Sequence, residues 1–274
     1  MINFTKHKII IGDSSNMSEL DNNSIHLIVT SPPYFDARDY GNSNQIGYGS
    51  TLNKYLEDIE PIFKECYRVL QPSRKFCLNI SDLPVSGDHG VRWIPLGFFL
   101  LNILLKNGFE LVDRIIWNKV PMKGFQYGSL PFPPSPLICD SMEYIFILRK
   151  KGKVTYSYLK NEYKEASKLT SKEYTEYTKQ IWTIKRVRIK DNIEGHVAPF
   201  PVELPYRCIL LYSFVQDTVL DPFGGSGTTT EAAIKANRNS VLYEINSTYH
   251  KYIKEKIDSE RGLFNKVEVE YVTI

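Results

Sequence analysis

Val219-Leu220-Asp221-Pro222-Phe223-Gly224-Gly225-Ser226-Gly227-Thr228-Thr229 decides the reading of this chain. A short apolar run meets three glycines within four positions and then a pair of threonines, the pattern of a buried strand turning into a helix. Glycine lets backbone approach a ligand closely, and a helix N-terminus turns free N–H groups toward a carboxylate or phosphate. About twenty residues past the turn, Glu244 closes the next apolar run, a position from which an acidic side chain can take ribose hydroxyls. A nucleoside cofactor is implied. A dinucleotide fits poorly, because Thr230 stands where the fingerprint wants its last glycine. No lysine follows the glycines as in a phosphate loop, and Phe223 and Asp221 would crowd and repel a pyrophosphate. Asp221 suits a ligand with an ammonium group, so an amino-acid nucleoside is the better match. A tight strand-to-helix connection without ligand is the plain alternative.

Outward from this turn, short β-branched runs alternate with helical periodicity. Residues 8–12 and 26–30 read as buried parallel strands. Between 52 and 70, Leu52, Tyr55, Leu56, Ile59, Phe63, Cys66, Tyr67 and Leu70 keep helical spacing behind Ser50 or Thr51 as N-cap. Pro61 should kink or divide that helix, since it lacks a donor and its ring meets the preceding turn. Further strands are expected at 75–80, 110–118 and 143–150, with a buried helix at 94–106 stopped by Gly108 and a long surface loop at 121–136. After the strand at 219–223, a helix at 229–236, a strand at 240–245 and a helix at 246–257 make half of a nucleotide-binding fold. Val267, Val269 and Tyr271 alternate with Glu268 and Glu270, as in an antiparallel or edge strand.

The chain has 274 residues, 42% hydrophobic and 24% charged, so one large α/β domain or two small ones can bury a core and disorder is not expected. Its four cysteines, Cys66, Cys77, Cys139 and Cys208, lie far apart without a C-x-x-C pair. They read as core thiols in a reducing compartment, with no metal site or disulfide framework. No run reaches signal-peptide or membrane-span character, 93–105 being broken by Pro95, Gly97 and Asn102, so a soluble cytoplasmic protein is expected. The net charge of +3 is unevenly spread: residues 150–194 hold twelve Lys or Arg against six Asp or Glu, a local +6 that leaves −3 elsewhere. Tyr156, Tyr158, Tyr163, Tyr174, Tyr177 and Trp182 are interleaved there, a mixture suited to gripping phosphates and bases together. A solvated pair of helices would have the same composition.

Thr30-Ser31-Pro32-Pro33-Tyr34 follows directly on the strand at 26–30. Two prolines fix φ and remove two donors, so nearby carbonyls point outward rather than into a ladder. Ser31 Oγ and the Pro32 carbonyl can then accept the two hydrogens of an exocyclic amine, and Tyr34 offers a ring face to a base. Read alone, an ordinary Pro-Pro turn explains the stretch equally well.

Together the two stretches resemble the amino-methyltransferases of DNA, which transfer methyl from S-adenosyl-L-methionine to cytosine N4 or adenine N6. Ser31 to Tyr34 match their (Asp, Asn or Ser)-Pro-Pro-(Tyr or Phe) motif, and Asp221 to Gly227 their Asp-x-Phe-x-Gly-x-Gly motif. Gly12-Asp13 looks like the segment whose Asp reaches the cofactor adenine, Arg68-Val69-Leu70 like the helix end before the next strand, and 196–207 like the segment along the methionine end. The resemblance covers nearly the whole chain, and the catalytic motif precedes the cofactor motif, the order of the β group. It implies an α/β Rossmann-like class I methyltransferase fold, with a mixed, mostly parallel seven-stranded sheet, helices on both faces and circularly permuted motifs. It also implies a catalytic half at 1–149, a target-recognition segment at 150–195 and a cofactor-binding half at 196–274.

On this resemblance the catalytic residues are Ser31, Pro32, Pro33 and Tyr34. S-adenosyl-L-methionine would be held by Asp13, Thr30, Phe200, Pro201, Asp221, Pro222, Phe223, Gly224, Gly225, Gly227, Thr228, Glu244 and Ile245. Duplex DNA would be met by Arg38, Tyr40, Lys185, Arg186 and Arg188, although Arg38 and Asp39 equally form a local pair. His196 reads as a packing or capping residue. Ser in the first motif position leans toward cytosine N4, with adenine N6 as the alternative. No cysteine follows a proline, which argues against methylation of cytosine C5. More remote readings are a catalytically silent DNA-binding module and a nicotinamide-dependent oxidoreductase. A cognate restriction endonuclease and a second copy of the chain are further candidate partners.

Overall fold

A computed structural model of the chain describes residues 4–36, 45–87, 90–119, 138, 140–153, 156, 159–187, 200–262 and 266–274. In chain order the elements are β1 (Phe4–Ile11), β2 (Ile25–Thr30), α1 (Leu52–Val69), β3 (Leu70–Ile80), β4 (Leu83–Gly87), β5 (Gly90–Ile94), α2 (Leu96–Lys106), β6 (Phe109–Asn118) and β7 (Met142–Lys150). There follow α3 (Asn161–Ala166), α4 (Ser171–Tyr177), β8 (Ile181–Thr183), α5 (Glu203–Tyr212), β9 (Thr218–Asp221), α6 (Thr228–Lys235), β10 (Asn239–Glu244), α7 (His250–Glu260) and β11 (Lys266–Thr273). The loop expected at 121–136, together with Arg38, Asp39, Tyr40, Cys139, Tyr158, Arg188 and His196, lies outside the described residues.

Among the described residues, nine strands form one sheet in the order β11-β1-β10-β9-β2-β3-β7-β6-β8, and β4 and β5 pair with each other in a second. Within the nine, β7 alone runs against its neighbours. The seven central strands are the seven expected, and β11 and β8 extend the two edges. The tail is thus an edge strand, but parallel to β1 rather than antiparallel. The reason is the connection: α7 carries the chain back to the end of the sheet where β10 began, and a helical crossover yields a parallel partner.

Side-chain alternation along the strands feeds two faces. Ile10, Ile28, Leu78 and Leu220 pack with Tyr55, Ile59 and Phe63 of α1 and Leu100 and Leu104 of α2. On the other face, Leu27, Val29, Cys77 and Val219 pack with Leu204 and Cys208 of α5 and Ala232 and Ala233 of α6, while Ile9, Ile11 and Leu242 meet Ile253 and Ile257 of α7. Cover on both faces is why the strands read as near-continuous apolar runs. Helix α1 opens with Thr51 Oγ1 accepting from the Lys54 amide at 3.2 Å. The helix runs unbroken through Pro61, so of the kink or division expected there the division does not occur. Pro61 lies on its exposed side, where water can serve the carbonyl that the proline leaves unpaired.

The basic segment divides its character. Helices α3 and α4 bury none of their residues, as a solvated pair would. Beyond them, β8 joins the sheet beside β6 and sinks Trp182 and Ile184 into the second core. Among the described residues, no helix is long and apolar enough to cross a membrane. Cys66, Cys77 and Cys208 are buried free thiols.

Candidate active site

Because β1, β10, β9, β2, β3, β6 and β8 all run the same way, their carboxyl ends share one edge of the sheet. At its middle the chain leaves β9 toward β10 and leaves β2 toward β3, on opposite sides. The crevice between them is a topological switch point, where open α/β sheets place ligands. Asp13 follows β1, Ser31 to Tyr34 follow β2, the glycine turn follows β9, Glu244 and Ile245 close β10, and Lys185 and Arg186 follow β8. All emerge from this one edge.

The glycine turn is tied to the serine-proline corner by a single carboxylate. Asp221, 1% exposed, accepts from Thr30 Oγ1 at 2.7 Å, from Thr229 Oγ1 at 2.6 Å and from the Phe223 amide at 3.1 Å. Burial lifts its carboxyl above the usual range, and these three donors oppose the lift. As found, Asp221 is a fastener between the turns; a ligand ammonium would share oxygens already in use.

Gly224 is needed for a reason other than ligand access: a Cβ there would lie 2.1 Å from Leu242 Cγ on β10. Gly227, at φ +82°, caps α6 in the left-handed region that side chains avoid. Glu244 accepts from the amides of Gly225 and Asn246, both at 2.8 Å. Burial pushes its pKa up to about 7, the amides pull it down, and the charge of Asp221 adds a smaller upward push. Beside it, Ile245 is 36% exposed, a bare apolar face at a strand end. Ser14 Oγ donates to the Pro222 carbonyl at 2.9 Å, so the 12–14 segment backs the turn. The Asp13 carboxylate accepts from the amide and hydroxyl of Ser15, both at 2.8 Å. Lys256 Nζ reaches Ser226 Oγ at 3.0 Å and Thr228 Oγ1 at 2.7 Å, steadying the turn from α7. An apolar plate, a raised carboxylate beside it and a second buried carboxylate fit a nucleoside with a cationic arm: its hydroxyls and positive charge would relieve both acids.

At the serine-proline corner, Tyr55 Oη of α1 donates to the Pro33 carbonyl at 2.9 Å. Ser31 is half-buried and Pro32 buried, and the Ser31 hydroxyl and the Pro32 carbonyl have no hydrogen-bond partner among the described residues, so both keep acceptor capacity. Tyr34 Oη donates to Glu143 Oε2 at 2.8 Å. Phe200 is half-buried against the second core, and the Pro201 carbonyl accepts the Leu204 amide at 2.9 Å where α5 begins. Lys185 and Arg186 are exposed, just past Ile184, whose carbonyl accepts Trp117 Nε1 at 2.8 Å.

Sequence reasoning missed Ser14, Tyr55, Glu143, Thr229 and Lys256. Only Thr229 carried a local signal, as a hydroxyl eight residues beyond Asp221 at the start of a helix. The others act across 22 to 208 residues of chain.

The sequence profile of the N6/N4 DNA methylases matches residues 25–255. The type II methyltransferase M.MjaI of Methanocaldococcus jannaschii is 34% identical over 280 residues, spanning 92% of this chain and 91% of that protein. M.SmaI of Serratia marcescens is 31% identical, spanning 93% and 92%. Among solved structures, a Thermus thermophilus protein assigned to the DNA modification methylases, crystallised with S-adenosyl-L-methionine, superposes with a TM-score of 0.76 at 29% identity over 96% of this chain and 99% of that one. The cytosine-N4-specific PvuII methyltransferase shares the fold, with a TM-score of 0.63 at 18% identity over 98% and 96% of the two chains. From β2 through α7, then, the chain belongs to the N6/N4 DNA methylase family, in the β group of S-adenosyl-L-methionine-dependent amino-methyltransferases found in restriction-modification systems.

Proposed function

We propose that this DNA amino-methyltransferase modifies N4 of a cytosine turned out of duplex DNA. The observation that carries the reading is the Thr30–Asp221 hydrogen bond, which fastens the serine-proline corner against the glycine turn on one sheet edge. S-adenosyl-L-methionine would supply a methyl group on a sulfonium, open to direct attack by an amine nitrogen with the neutral thioether S-adenosylhomocysteine as leaving group. Glu244, held by the Gly225 amide, would meet its ribose, Ile245, Phe223 and Asp13 its adenine, and Asp221, Thr30, Phe200 and Pro201 its methionine end, with Pro222, Gly224, Gly225, Gly227 and Thr228 shaping the cradle.

An exocyclic amine is a poor nucleophile because its lone pair is delocalised into the ring. Ser31 Oγ and the Pro32 carbonyl each accept one N–H, drawing nitrogen toward tetrahedral geometry and freeing the pair. Positioning then supplies much of the rate. The methylated nitrogen sheds its extra proton to water, directly or relayed through the Ser31 hydroxyl, so no strong base is required. Turning the base out costs a few kcal/mol, and stacking on Tyr34, worth about 1 to 3 kcal/mol, offsets much of it. Lys185 and Arg186 lie on the same edge and would grip phosphates; Arg38, Tyr40 and Arg188 are assigned the same task.

The cytosine assignment rests on Ser31 in the first motif position. Nucleoside mass spectrometry of DNA incubated with the protein and S-adenosyl-L-methionine should show N4-methylcytosine. N6-methyladenine instead would reassign the base, and DNA without methyl would leave a silent binding module.

A further inference from the structure

Four adjacent strands, β2, β3, β7 and β6, deliver a polar chain to the carboxyl edge beside Tyr34. Tyr34 Oη donates to Glu143 Oε2 at 2.8 Å, and the same oxygen accepts Asn79 Nδ2 at 3.0 Å. Lys119 Nζ stands 3.3 Å from Glu143 Oε1 and 3.2 Å from Asp140 Oδ2. The side chains of Glu143 and Lys119 are only 12% and 9% exposed. A carboxylate drawn that far out of water is disfavoured unless donors surround it, and here three converge from three elements. Asn79 is turned to serve it: its amide nitrogen bonds Glu143 and the Tyr144 carbonyl, while its buried Oδ1 has no partner among the described residues. The arrangement favours the Glu143 contact at the expense of a satisfied amide.

A tyrosine ring that serves as a stacking plate must hold its place, and a bond at Oη, the atom farthest from the backbone, limits the swing of the side chain about its first torsion. We propose that Glu143 is a positioning residue for methyl transfer: steadied by Lys119 and Asn79, it anchors Tyr34 Oη and pre-orients the ring for the target base. The inference rests on the reading of Tyr34 as the base platform. The motif also admits phenylalanine, which has no hydroxyl to anchor.

The test is single-turnover transfer of tritiated methyl to unmethylated genomic DNA by wild type, Tyr34→Phe, Glu143→Ala and the double variant, with calorimetry of S-adenosyl-L-methionine binding. Each single change should slow transfer by about five- to thirty-fold, and the double variant should be no slower than the slower single, because both remove the same hydrogen bond. Cofactor affinity should stay within about twofold, and Glu143→Gln, which keeps an acceptor for Tyr34, should recover most of the rate. Losses that multiply in the double variant, or Tyr34→Phe at the wild-type rate, would overturn the proposal; the latter decides it even if Glu143→Ala does not fold. Tyr34→Ala separates the two ideas. If Tyr34→Ala is fast, the platform reading fails; if it is slow while Tyr34→Phe is fast, only the anchor fails.

Discussion

Thr30 and Asp221 are 191 residues apart in the chain and 2.7 Å apart in space, and neither is more than 1% exposed. Removing one partner of such a bond leaves a buried group unsatisfied, at a cost of about 1 to 3 kcal/mol. Thr30→Val should therefore lower the melting temperature and weaken S-adenosyl-L-methionine binding together; loss of neither would show the two turns to be independent. Ser31→Ala removes an acceptor needed only when the amine is bound, so transfer should slow about ten- to a hundred-fold while cofactor affinity and melting temperature hold. Glu244 adds a pH signature. Its pKa of about 7 exceeds the ordinary 4.5, so the folded chain keeps a proton that the unfolded chain has released. The stability this group contributes is therefore full at low pH and falls as pH rises between those values. Cofactor binding runs the other way, because the ionised carboxylate accepts ribose hydroxyls. Calorimetry should find affinity rising about five- to tenfold from pH 6 to pH 8, with Glu244→Gln flattening the rise.

Among the elements, β2, β9, α6 and β10 were legible because each is an apolar run or periodic stretch ended by Pro, Gly or a capping residue. The two turns that make the site were legible for the same reason: proline and glycine fix backbone locally, whatever the fold. Helix α5 was not read as a helix, since it begins in a proline-rich stretch, and β8 has only three residues. What holds β8 is Trp182 buried against the far face of the sheet, a contact that no local pattern contains. Glu143 and Asn79 stayed hidden likewise: a buried carboxylate and amide inside strands look like ordinary polar interruptions until four strands are aligned. Gly224 was expected to let backbone approach a ligand, and the structure shows a separate demand for glycine there, since Leu242 fills the space a Cβ would need. Gly224→Ala should cost about 1 to 3 kcal/mol by overpacking and lower the melting temperature by several degrees. Leu242→Ala in the same chain should return part of that loss; no return would mean that the glycine is needed for access after all.

Across the whole molecule, one topological fact organises the chemistry. Strands pointing the same way bring separate chain segments, from Asp13 to Ile245, to a single edge. The same direction carries Lys185 and Arg186 to that edge through β8, with three strands between β8 and β2, whose end bears the corner that would receive the base. If they grip phosphates, Lys185→Ala with Arg186→Ala should weaken DNA binding and flatten its salt dependence, the log–log slope dropping by about 0.9 for each phosphate no longer held. An unchanged slope would remove both from the interface. The convergence itself is tested most directly by a crystal structure with S-adenosylhomocysteine. The nucleoside should lie in the crevice between β9 and β2, its ribose at Glu244 and its sulfur turned toward Ser31 and the Pro32 carbonyl. A ligand bound elsewhere, or a sulfur turned away from Ser31, would contradict the account.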